Sequence, residues 1–77
     1  MLEEIQYEID YLILLAMHSG VWTITYVNSR DYPNSIMTFA GEYFRDNGYE
    51  VSYDFDSNKN ITSITASCHY DNGIFKW

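Results

Sequence analysis

The sequence predicts an α+β domain, with two helices packed on one face of a three- or four-stranded, mainly antiparallel sheet. Three observations predict it. Apolar residues recur at helical spacing over residues 2–18 and again over 36–44. Side chains alternate with period two over residues 21–27, 49–55 and 61–70. Turn-forming residues separate these runs: Gly20, Asn47-Gly48, the Asp/Ser/Asn-rich stretch 56–60 and Asp71-Asn72-Gly73.

In the first helix, Leu2, Ile5, Ile9, Leu12, Ile13 and Ala16 form one apolar stripe. Glu3, Glu4, Glu8 and Asp10 lie on the other sides, and the early acids suit the positive end of a helix. Residues 11–17 are apolar nearly all round. Tyr7, Tyr11, Leu14, Leu15 and His18 make a second stripe beside the first. A chain of 77 residues can hardly cover both stripes. Either the rest of the domain encloses this segment, or the second stripe is an oligomer interface, most simply of a homodimer.

Gly20 ends the helix, and a strand follows with Trp22, Ile24 and Tyr26 on one face and Thr23 and Thr25 on the other. Val21 and Val27 keep that outward face from being purely polar. The connection over residues 28–34 is polar and contains Arg30, Asp31 and Pro33. Pro33 keeps the chain extended, and Asn34 or Ser35 is placed to cap the second helix. Ile36, Phe39, Ala40, Tyr43 and Phe44 form the inner face of that helix, widened by Met37. Asn47-Gly48 supplies a left-handed stop. Tyr49, Val51, Tyr53 and Phe55 then take one strand face, with Glu50, Ser52, Asp54 and Asp56 on the other. In the last long strand Ile64, Ala66, Cys68 and Tyr70 oppose Thr65, Ser67 and His69. Ile74, Phe75 and Trp77 are expected to form a short final strand or to dock on the core, to which Tyr43, Phe44, Val51 and Ile64 contribute. Two topologies fit. The first strand pairs either with 61–70, giving an antiparallel split β-α-β sheet, or with 49–55, giving a parallel pair with a right-handed crossover.

Composition narrows the functional classes. One domain, residues 1–77, is expected from the length. Eleven acidic residues against four basic ones give a formal charge of -7. Direct binding to nucleic acid needs cations to displace counterions, so that balance disfavours it; it suits solubility, or a basic protein partner. One cysteine excludes a disulfide within the chain. The N-terminus lacks the basic region of a signal peptide, and residues 11–17 are too short to span a bilayer. A cytoplasmic protein without membrane contact is expected.

No catalytic, cofactor-binding or metal-binding residue is assigned, and the chain is not expected to be an enzyme. Cys68 and His69 are adjacent on a strand and point to opposite faces, a poor geometry for a nucleophile and its base. One cysteine and two distant histidines lack zinc-site spacing. Asp54, Asp56 and Asn58 copy the first side-chain positions of an EF-hand loop, but Lys59 replaces the glycine and Thr65 the closing glutamate. An Asx-rich hairpin turn explains these residues better. Asp54 and Asp56 share a face as a glycosidase pair would, yet nothing marks a sugar cleft.

The acids suggest a binding surface instead. Glu50, Asp54 and Asp56, joined by Glu42 and Asp46 from the preceding helix, are expected to make a negative strip. Alternate strand residues stand about 6.7 Å apart, close to the roughly 6–7 Å obtained by doubling the rise per base pair along a DNA strand. Such a strip would act as a nucleic-acid mimic in a cationic groove. Residues 37–53, MTFAGEYFRDNGYEVSY, with SITAS at 63–67, resemble small bacteriophage accessory proteins that have a helix, a GY-x-V strand and a closing hairpin. The resemblance covers about half of the chain and implies a short protein that binds and modulates a host protein. The expected function is a small acidic protein-binding modulator, such as a phage inhibitor of a host defence or nucleic-acid-handling protein, acting by non-catalytic occlusion. The alternatives are a structural or assembly component forming a homo-oligomer and, less favoured, a small enzyme.

Overall fold

The computed structural model describes residues 2–68. Helix α1 (Leu2–Ser19) leads to strand β1 (Thr23–Val27), helix α2 (Asn34–Asp46), strand β2 (Glu50–Phe55) and strand β3 (Ile61–Ser67). The sheet order is β1-β3-β2, and both pairings are antiparallel. This is the α+β fold the pattern predicts, in the split arrangement with β3 at the centre. His69, Tyr70, the 71–73 turn and Ile74, Phe75 and Trp77 lie outside the described residues.

Both helices end in the same device. Gly20 adopts φ 69°, and the amides of Gly20 and Val21 reach back to the carbonyls of Met17 and Ala16. Gly48 adopts φ 91°, and the amides of Gly48 and Tyr49 reach the carbonyls of Arg45 and Phe44. Each pair is a Schellman closure, which satisfies carbonyls that the helix leaves open. At α2 the accompanying apolar contact is aromatic: the Phe44 and Tyr49 rings meet edge to face at 5.8 Å.

The start of α2 departs from expectation. Pro33 occupies the cap position and no side chain caps the helix. The Asn34 amide is engaged elsewhere: its oxygen accepts from the Ile61 amide at 2.8 Å and its nitrogen donates to the Lys59 carbonyl at 2.9 Å. Asn28, at the other end of the same connection, donates to the Ile61 carbonyl at 3.0 Å and holds both backbone groups of Tyr32. Two asparagines therefore grip Ile61 from one loop and fix where β3 begins.

Both helices pack on the sheet face that carries Ile24, Tyr26, Val51, Tyr53, Ile64 and Ala66. Ile5 and Ile9 of α1, Met37, Ala40 and Phe44 of α2, and Ile64 and Ala66 of β3 are fully buried. Tyr43 and Val51 pack against this core while remaining half-buried. The buried face of α2 is turned toward Met37 and Gly41, leaving Ile36, Phe39 and Tyr43 at its margin. Gly41 explains the rotation. A Cβ there would meet the Tyr53 hydroxyl and lie 2.7 Å from Cζ, so only glycine lets the helix sit so close to β2. A register shift between Asp54 and Phe55 places two residues of β3, Thr62 and Ser63, where one is expected. This bulge resets the alternation and turns Ile61 into the core beside Ile64. Phe55, expected on the inner face, is exposed at the end of an edge strand, near the Tyr53 ring.

Candidate functional site

The face of the sheet away from the helices is open. Pairing aligns its side chains in three rows: Thr23–Ser67–Glu50, Thr25–Thr65–Ser52 and Val27–Ser63–Asp54. Apart from Val27, Glu50 and Asp54, the six residues of these rows are all serine or threonine. The Ser63 hydroxyl donates to the Asp54 carboxylate at 2.8 Å, and Thr23 and Ser67 hydroxyls lie 3.4 Å apart. Asp56 directly follows β2, and its carboxylate accepts from the amides of Asn58 and Asn60 at 2.8 and 2.9 Å. That is an Asx-type turn closing the β2–β3 hairpin, with Lys59 at φ 65°.

The five acids of the expected strip are all exposed, but they do not share one surface. Glu50 and Asp54 alternate outward from Val51 and Tyr53, on the open sheet face. Glu42 and Asp46 lie on the side of α2 opposite its buried Met37, Ala40, Gly41 and Phe44. The two pairs thus point away from the two sides of the domain. Glu42 also approaches Arg45 at 4.0 Å, an exposed pair of the weak kind. The physical reason for the split is that α2 covers the inner sheet face, so a residue outward on α2 cannot join a residue outward on β2.

The second expected surface is intact. On α1, Tyr7 is 75% exposed, Tyr11 61% and Leu14 52%, and Leu15, Met17 and His18 are exposed beside them. The stripe of Ile5, Ile9 and Ala16 faces inward on the opposite side. The helix therefore carries one apolar face for the domain and another on the outside. A shallow depression of about 220 Å³, lined by Leu14, Met17 and His18, lies at its C-terminal end.

A third feature escaped the sequence reading. Glu8 of α1 accepts from the Tyr26 hydroxyl at 2.8 Å and pairs with the Arg30 guanidinium at 3.2 Å. These groups line a cleft of about 270 Å³ with Tyr11, Leu12 and Tyr32. Burial first, and then the Glu8 carboxylate, push the Tyr26 phenol well above its ordinary pKa. Tyr32, followed by Glu8, raises that of Arg30. A phenol held protonated in this way donates a hydrogen bond and is a poor base or nucleophile. The network ties α1 to β1 and the following loop. Only proximity in the fold reveals it, because Glu8 and Arg30 are far apart in the chain and on different elements. Similarly, the Tyr43 hydroxyl donates to Asp10 at 2.7 Å and links the two helices, and this bond is the largest cause of its raised pKa.

Cys68 is buried with a free thiol, and His69 is outside the described residues. Among the described residues no three His, Cys, Asp or Glu side chains converge to hold a metal ion, and no helix is long and apolar enough to cross a membrane. No protein-family model, curated protein or solved structure matches this chain.

Proposed function

We propose that this domain binds a basic surface of another protein and acts by occlusion, without chemistry of its own. The observation that supports this reading is the open sheet face. Its outward strand positions offer hydroxyls from three strands and the carboxylates of Glu50 and Asp54, with no lysine or arginine among them. Hydroxyls remain compatible with water until a polar partner replaces it, and the carboxylates supply attraction that steers a cationic surface toward this face. Glu50 and Asp54 are four residues apart, about 13 Å along an extended strand, a separation that suits two cationic sites of a groove built for a phosphate backbone. The resemblance to small phage accessory proteins suggests a host defence or nucleic-acid-handling protein as the target, with this chain as its inhibitor. The Asp56 carboxylate is engaged by the amides of the hairpin turn, and Glu42 and Asp46 belong to the opposite surface.

The test is affinity capture from a bacterial lysate followed by binding measured across a salt series. We expect one stoichiometric target whose affinity falls with salt. The double reversal Glu50→Lys with Asp54→Lys should weaken binding at least tenfold, while Glu42→Lys with Asp46→Lys should change it little. Unchanged affinity in the first variant, with an unchanged circular-dichroism spectrum, rejects the open face as the interface. A second reading, an assembly component forming a homo-oligomer, draws on the exposed Tyr7, Tyr11, Leu14, Leu15 and His18 of α1. Sedimentation at high micromolar concentration separates the two: a stable dimer favours assembly, and a monomer removes it.

A further inference from the structure

Helix α1, strand β1 and the loop after it enclose a cleft of about 270 Å³. Glu8, Tyr11 and Leu12 line it from the helix, and Tyr26, Arg30 and Tyr32 from the strand and loop. Among the described residues that line it, Glu8 is the one carboxylate and Arg30 the one cation. The two are held differently. Glu8 is fixed from the inside, where the hydroxyl of the buried Tyr26 donates to its Oε1 at 2.8 Å. Arg30 reaches its Oε2 from the outside at 3.2 Å, with the two side chains 55% and 37% exposed. An ion pair this open to water is worth little, so a cation from solution can compete for the carboxylate.

The surroundings suit a cation. Glu4, one turn before Glu8, adds to the negative field that Arg30 feels. Tyr11, Tyr26 and Tyr32 bring three phenol rings to the walls, and the face of such a ring attracts a cation. Arg30 itself shows which cation these groups accept: its guanidinium meets a carboxylate and donates to the Tyr32 hydroxyl. A planar guanidinium makes both contacts and also stacks on a ring, whereas an ammonium is a compact, strongly hydrated charge. The loop does not depend on the ion pair. Asn28 holds both backbone groups of Tyr32 at 2.8 and 2.9 Å, and the chain turns at Asp31 with φ 58°. Released from Glu8, Arg30 has only to swing an exposed side chain into water.

We propose that this cleft binds a guanidinium group from outside the chain, which replaces Arg30 on Glu8 and lays its plane against Tyr11 or Tyr32 and its stem against Leu12. Arg30 is then a resident competitor that occupies the carboxylate until a ligand arrives. The group comes from a small guanidinium compound or from an arginine side chain of a protein. The site is separate from the open sheet face and stands whether or not that face binds a partner.

Titration of the full chain with ethylguanidinium, and separately with an arginine blocked at both ends, tests this through the ring-proton shifts of Tyr11 and Tyr32. The shifts should saturate along one binding curve, and Arg30→Ala, which vacates Glu8, should tighten binding several-fold. Ethylammonium should bind that variant several-fold more weakly than ethylguanidinium. Binding of the blocked arginine identifies a protein side chain as a fitting ligand, and binding of ethylguanidinium alone assigns the site to a free small molecule. Glu8→Gln should lose the binding while the circular-dichroism spectrum is preserved; if that variant does not fold, the comparison of native protein with Arg30→Ala decides. The absence of a saturable shift with either guanidinium probe in Arg30→Ala overturns the proposal. Equal affinity of the native protein and Arg30→Ala, or equal binding of ethylammonium, overturns it as well.

Discussion

The outer side of the helix layer and the outer side of the sheet are built from opposite materials. On α1, tyrosines, leucines and a methionine face outward; on the sheet, threonines, serines and two acids do. The difference teaches what each surface is suited to meet. An apolar stripe gains free energy whenever something covers it, at about 25 cal/mol per Å². A hydroxylic face gains little from an apolar cover and demands hydrogen bonds in exchange for its water. One surface therefore suits a permanent cover, and the other a polar partner that comes and goes.

The contrast between the covered and the open side of the sheet should be plainest in stability. Phe44→Ala removes a fully buried ring that contacts Tyr26 and Tyr49 edge to face. It should cost about 3–5 kcal/mol in urea unfolding; an unchanged midpoint would displace Phe44 from the core. Neighbouring residues on β3 sharpen the point. Ile64→Ala, on the inner face, should cost about 2–5 kcal/mol. Thr65→Ala, one residue on and facing outward, should stay within about 0.5 kcal/mol. Equal losses at the two positions would erase the distinction between the faces.

Gly41→Ala tests how closely the helix layer sits on β2. Helix propensity alone would favour alanine by about 1 kcal/mol, yet the Tyr53 ring occupies the space a Cβ needs. We expect a net loss of about 1–3 kcal/mol from overpacking, and a stabilised variant would show that the ring yields freely. The smallest effect should come from Tyr26→Phe, about 0.5–1.5 kcal/mol for a lost hydrogen bond at neutral pH. Its signature is in alkali. The folded phenol has a raised pKa, so the folded state keeps a proton that the unfolded chain releases above about pH 10. This contribution is fully present below that pH and is lost as pH rises toward the folded value. Tyr43 and Tyr49 shift in the same direction. Tyr26→Phe should therefore flatten the alkaline decline, and an identical pH profile would remove Tyr26 as one of its causes.

The positions of the elements were legible because their signals are local. Gly20 and Gly48 end helices through their own backbone freedom, and Ile24 and Tyr26 alternate with threonines whatever they pack against. The candidate surfaces were legible unevenly. The second stripe of α1 follows from helical spacing alone. The acidic strip depended on how α2 and β2 sit on each other, and it divides because α2 lies over the inner sheet face. Asn34 looked like a cap because its place before a helix is a local signal; its bond to Ile61 joins residues 27 apart.

By itself, then, the sequence determined the element types, the inward stripe of α1, the outward hydroxyl positions and the net charge, since each is set by residue periodicity or composition. Tertiary structure alone decided the β1-β3-β2 order, the rotation of α2 onto Gly41, the bulge that turns Ile61 inward and the Glu8–Tyr26–Arg30 network. Each of these depends on a contact between residues distant in the chain. Local periodicity specifies which way a side chain points within its element, and only packing specifies what stands opposite.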